Sequence, residues 1–179
     1  MSGEGGPKSA VETAESALKQ LDLPGVAQKD IDLTVYFVVG RDEVVSTPGA
    51  PVPADLQSTV AALKQTFPYK TYELMDALSI RSRAGSNAST TGQIGSSRLT
   101  HFSVNSVNLD GDGGLIRIEG LDAGVRALQN LGQKSDYVQV SGIHTQTVGV
   151  KEGQKLVVGR ASEGPGKALF LVLIAKVAQ

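Results

Sequence analysis

Residues 168–175 read ALFLVLIA, a run that is apolar on both faces a β-strand can present. Successive side chains in a strand point to opposite sides, so a strand wet on one face alternates apolar with polar. Here Leu169, Leu171 and Leu173 lie on one side and Phe170 and Val172 on the other. Such a strand has to lie in the middle of a core or against another chain. These five residues are therefore the candidate core or interaction strand. The run is far too short to cross a membrane as a helix, which takes about 20 apolar residues. Upstream, KEGQKLVVG reads as a hairpin, and Gly164-Pro165-Gly166 marks a turn into the last strand.

The rest of the chain sorts by period. Residues 1–8 are expected to be disordered. Ser9 and Glu12 form a capping box, and Val11, Ala14, Leu18 and Leu21 make the stripe of a short helix stopped by Pro24-Gly25. IDLTVYFVVG alternates: Ile31, Leu33, Val35, Phe37 and Val39 face one way, Tyr36 and Val38 the other. Pro53 and Asp55 open a second helix, with Leu56, Val60, Leu63 and Phe67 on one face, expected to pack on that strand. A long strand follows, with Tyr72, Leu74, Leu78 and Ile80 read as one side. Strand, helix and strand suggest a βαβ-like unit, with a right-handed crossover if the strands are parallel. Beyond Ser82 the pattern is strand and turn. Residues 86–97 suit a loop or a flat edge strand, and Asp110 to Gly114 reads as a hairpin turn. Val125, Leu128 and Leu131 fit either a helical turn or a strand.

The fold class that follows is α+β and β-rich. A strand-helix-strand unit (31–85) precedes an antiparallel sheet or sandwich (98–179), with seven or eight strands in all. The expected domain is 9–179, as one unit.

Chemistry is sparse. The formal net charge is −1, aromatics are 4% and Trp is absent, so neither a basic nucleic-acid footprint nor a stacking platform is present. With no Cys there is no disulfide, thiolate metal site or thiol nucleophile. ASEGPGKA half-resembles a phosphate loop, but Ala168 stands where a magnesium-binding hydroxyl belongs and a strand follows instead of a helix. Asp110 and Asp112 lack the further ligands calcium needs. His101 and His144, the only two histidines, read as separate sheet-face residues. Arg81 and Arg83 share a strand face as edge guards or an anion contact. Asn87-Ala88-Ser89 matches a glycosylation acceptor. No catalytic residue, cofactor or metal is expected.

Two stretches carry a family resemblance. PADLQSTVAALKQTFPYKTYEL is similar to the small ring-building domains of bacterial secretins. VGVKEGQKLVVG with KALFLVLIAKV resembles the hairpin and last strand that close a secretin core. The chain departs from that pattern where Arg160 follows Gly159, and where LVLIAKV lacks a Thr-Pro ending. It also lacks the amphipathic transmembrane hairpins and the bulk of a secretin. The resemblance implies a secretin-related, non-enzymatic envelope protein of structural or assembly type. It implies a periplasmic location, a removed leader and protein partners or self-association. The start, MSGEGGPKS, has no apolar leader segment of its own, and composition alone fits the cytoplasm as well. The alternatives are a small-ligand or peptide binding module and an enzyme with an unrecognised site.

Overall fold

A computed structural model describes residues 28–47, 49–111 and 114–179. The expected disordered start, the Ser9 capping box and Asp112 lie outside the described residues. Within them are nine strands and one short helix. They are β1 (Asp30–Arg41), a 3-10 turn (Ala54–Leu56) leading into α1 (Gln57–Thr66), β2 (Thr71–Arg83), β3 (Ala88–Ile94), β4 (Arg98–Val104), β5 (Ser106–Asp110), β6 (Leu115–Leu131), β7 (Lys134–Lys151), β8 (Leu156–Gly164) and β9 (Lys167–Val177). The fold is α+β and β-rich, as the periodicities require.

Two antiparallel sheets form. Sheet A runs β2-β1-β9-β8. In sheet B, β3 pairs β4, while β4 and β5 share one side of β6 and β7 takes the other. The layers follow from the two-faced β9. Leu169, Leu171, Leu173 and Ala175 join Ile31, Leu33, Val35, Phe37 and Val39 of β1 against Phe102, Ile116, Ile118, Leu121 and Val125 of sheet B. On the opposite side, Ala168, Phe170 and Val172 join Val38 beneath Leu56, Val60 and Leu63. Helix, sheet A and sheet B thus stack as three layers. Leu169 through Leu173 are all fully buried within the chain, so these five side chains supply core.

Helix α1 covers Tyr36, Val38, Phe170 and Val172, not the alternating face of β1 from Ile31 to Val39, which looks toward sheet B. The 3-10 turn that leads into it carries Asp55, favourable near the positive end of the helix dipole. The Phe67 amide closes it on the Leu63 carbonyl, and Pro68 forbids continuation. Leu63 is 6% exposed. Leu63→Ala is therefore expected to cost about 2–5 kcal/mol by denaturant unfolding. A loss within about 0.5 kcal/mol, the range of a surface site, would mean that the helix is not held by this face.

Four expectations are corrected. First, β1 and β2 pair antiparallel along their full length, so there is no parallel crossover. The helix packs outside a hairpin whose loop it forms. Second, β2 does not keep one face. Its register slips between Phe37 and Val38 of β1, leaving Met75 as an extra residue. Tyr72 and Leu74 consequently face the helix, while Leu78 and Ile80 face sheet B, because a one-residue slip reverses every later side chain. Third, residues 125–134 are not helical. They finish β6 and turn into β7, Leu131 pairing with Lys134. Fourth, KEGQKLVVG is no hairpin. β7 belongs to sheet B and β8 to sheet A, so the turn is a corner between layers. The true C-terminal hairpin is β8–β9, closed by Pro165-Gly166 with Gly166 at φ 67°, a left-handed conformation glycine adopts without strain.

Candidate functional site

Alternation puts a second set of β4 and β6 residues on the face of sheet B turned away from sheet A. His101 and Ser103 lie there on β4, and Asp122, Gly124 and Arg126 on β6. The ladders pair His101 with Gly124, Ser103 with Asp122, and Asp122 in turn with His144 on β7. The only two histidines thus flank one carboxylate across three neighbouring strands. His144 is exposed. His101 is 6% exposed although it stands on an outward face. Its ring lies over Gly124, where an added Cβ would sit 3.2 Å from the imidazole Cε1 and would clash with the Ser141 carbonyl oxygen. A side chain at 124 would collide with the β7 backbone and press on the ring.

Neither imidazole nitrogen makes a hydrogen bond within the described residues. Asp122 Oδ2 stands 3.5 Å from Nε2, an ion-pair distance that becomes attractive only on protonation. Burial holds the His101 pKa below the ordinary value; Asp122 works against this and Arg126 with it. The unfolded state thus binds the proton more readily than the folded state. Stability is full above the ordinary histidine pKa of about 6.5 and is lost as pH falls toward the depressed folded value. The melting temperature is expected to drop between about pH 7 and pH 5, and His101→Gln should flatten that limb. An identical slope in the variant would show that His101 contributes nothing to it.

Polar groups also lie between the sheets. Glu163 on β8 reaches across to sheet B. Arg98 of β4 pairs with its Oε1, and the Ser141 hydroxyl donates to Oε2 at 2.5 Å. The Thr100 hydroxyl donates to Asp76 Oδ2 at 2.5 Å. Thr100 and Ser141 are buried among the layers, so both hydroxyls are closed to a substrate, and Arg98 occupies the carboxylate that could have acted as a base. These five side chains join the sheets. Sequence reading passed over them, although Asp76 is two residues from Leu78 and Glu163 two from Ala161, positions that face the core.

The remaining sequence candidates are structural in their placement. Arg81 grips Asp32 with two hydrogen bonds of 2.7 and 3.0 Å, and Arg83 faces Asp30 at 3.8 Å. They form a cross-strand charge ladder, leaving Arg81 committed to Asp32. Lys167 begins β9 after the Pro165-Gly166 turn, as a phosphate loop would not. No group of three or more His, Asp or Glu among the described residues is placed to hold a metal ion. No helix among them is long and apolar enough to cross a membrane, which says nothing about strands. A compact aromatic set covers the helix side of sheet A. Phe170 lies 5.3 Å from Phe67, 6.1 Å from Tyr69 and 5.9 Å from Tyr72 between ring centroids, and Arg160 hydrogen-bonds the Tyr69 hydroxyl at 2.7 Å.

No family model and no curated protein matches the sequence. Solved structures do match the fold. The secretin InvG of the Salmonella SPI-1 type III secretion injectisome (residues 176 to its end, open gate) superposes with a TM-score of 0.54 at 14% identity. That match covers 96% of this chain and 66% of the InvG fragment. The type II secretin GspD of enteropathogenic Escherichia coli gives 0.53 at 9% identity, over 96% of this chain and 74% of that one. PulD in the Klebsiella pneumoniae type II secretion outer membrane complex, with PulS and the PulC HR domain, gives 0.54 at 9% identity, over 95% and 43%. The chain therefore spans about two thirds of the InvG fragment and under half of PulD. Its fold is that of secretin domains.

Proposed function

We propose that this chain is a non-enzymatic structural or assembly subunit of a bacterial envelope complex, acting in the periplasm and associating with itself. The observation that carries this reading is the likeness to three secretins over at least 95% of the chain, helix and both sheets together. Fold alone does not confer function. The side-chain chemistry gives independent support: the buried hydroxyls and carboxylates are spent on joining layers, and the exposed arginines of β2 face acidic neighbours on β1. The solved relatives are components of secretion assemblies, and PulD was seen with protein partners.

Fractionation of cells that naturally carry the chain tests the location. It is expected with periplasmic or membrane proteins and to leave them only on treatments that disrupt the envelope. Recovery in the cytosol alone would contradict the reading.

A further inference from the structure

Among the described residues, five strands form free edges: β2 and β8 in sheet A, and β3, β5 and β7 in sheet B. An open edge is a template for another strand, and proteins blunt it with charge, proline, bulges or cover. Four of the five are blunted. β2 has its bulge, Arg81 and Arg83, and a loop residue, Ala50, bridging to Leu74. β8 has two register breaks and carries Arg160 and Glu163. β7 has its irregularity opposite Val125 and Arg126 and carries Lys134, Asp136 and Lys151. β5 is five residues long, and its Val107 carbonyl accepts from the Gly85 amide. β3 differs from all of these. ASTTGQI has no charge, no proline and an unbroken register with β4, and among the described residues its backbone pairs with no other strand.

We propose that β3 is the strand through which two copies of this chain join, edge to edge and antiparallel, about a twofold axis at Thr91. The proposal rests on the self-association in the reading above. A twofold contact sets a surface against itself, so any charge near the axis would meet its own kind. Only the uncharged β3 edge avoids that, and in a second copy the one other unguarded edge is again β3. Centring on Thr91 sets Thr91 against Thr91, Ser89 against Gln93, and Ile94 of one copy against Ala88 of the other. Ala88, Thr90, Gly92 and Ile94 alternate as half-buried residues with exposed Ser89, Thr91 and Gln93. The join would complete the burial of that inner row and double the five-stranded sheet.

The chain has no cysteine, so a single introduced thiol reports proximity without background. Opposed residues of an antiparallel pair have Cα atoms about 4.5–5.5 Å apart, inside the range a disulfide spans. Thr91→Cys is therefore expected to oxidise almost wholly to a covalent dimer. Ser162→Cys, exposed on the guarded β8 edge, should remain a monomer. Thr91→Lys should halve the mass in sedimentation velocity while the chain still unfolds cooperatively, its melting temperature no longer varying with concentration. Equal cross-linking in the two cysteine variants, or a Thr91→Lys chain with the wild-type mass, would overturn the proposal. Assembly that persists in Thr91→Lys removes the β3 join and leaves self-association standing. A wild-type chain that is monomeric at every concentration removes both.

Discussion

Ending the chain after Gly166 is expected to leave no cooperative unfolding transition. β9 lies between β1 and β8 and pairs with both, so its loss cuts sheet A through the middle. Residues 168–175 are all at or below 9% exposure, and their two faces serve both apolar clusters. Burying one large apolar side chain is worth about 1.5–3 kcal/mol. Six such side chains, from Leu169 to Ile174, bring on the order of 10 kcal/mol, comparable with the whole stability of an ordinary domain. Circular dichroism during heating is the measurement. A folded truncation with an unchanged midpoint would contradict the placement of β9 at the centre.

The largest single-residue effect is expected at Phe170. Its ring is fully buried beneath the helix and stands within about 6 Å of three other aromatic rings. Phe170→Ala should cost about 3–5 kcal/mol, combining lost transfer energy with a cavity that the rigid neighbours do not fill. Phe170→Leu should cost much less, because most of the volume returns. Chemical denaturation of the three chains gives the comparison. A loss for Ala no greater than for Leu would mean that the aromatic set is not packed as described.

The two-faced β9, the alternating β1, the helix with its stripe and the Asp110 turn were legible because each follows one period or one turn chemistry. What was lost comes from breaks in period that leave no polar mark. Tyr72, Leu74, Leu78 and Ile80 all occupy even positions, and the inserted residue, Met75, is apolar. Nothing in that stretch announces the slip that sends its halves to opposite sides. Val125, Leu128 and Leu131 imitate a helical spacing for a similar reason. The irregularity after Val125 separates a buried residue from Leu128 and Leu131, which are 41% and 57% exposed on the far end of the hairpin. The corner between β7 and β8 was misread because Gly153 reports a reversal of the chain and not which sheet receives it. The histidines were the least legible feature. His101 and His144 are far apart in sequence and come to either side of Asp122 only through the registers of β4, β6 and β7. The resemblance at the helix and the C-terminal strands was readable in the residues themselves, and the fold extends it to nearly the whole chain.

A self-associating part of an envelope assembly has to occur as more than one copy in that compartment. This is read from the native mass of the endogenous chain after gentle extraction of the envelope fraction. The expected result is a particle of at least two chain masses, stable to dilution and concentrated in that fraction. A species of single-chain mass, free in the cytosol, would contradict it.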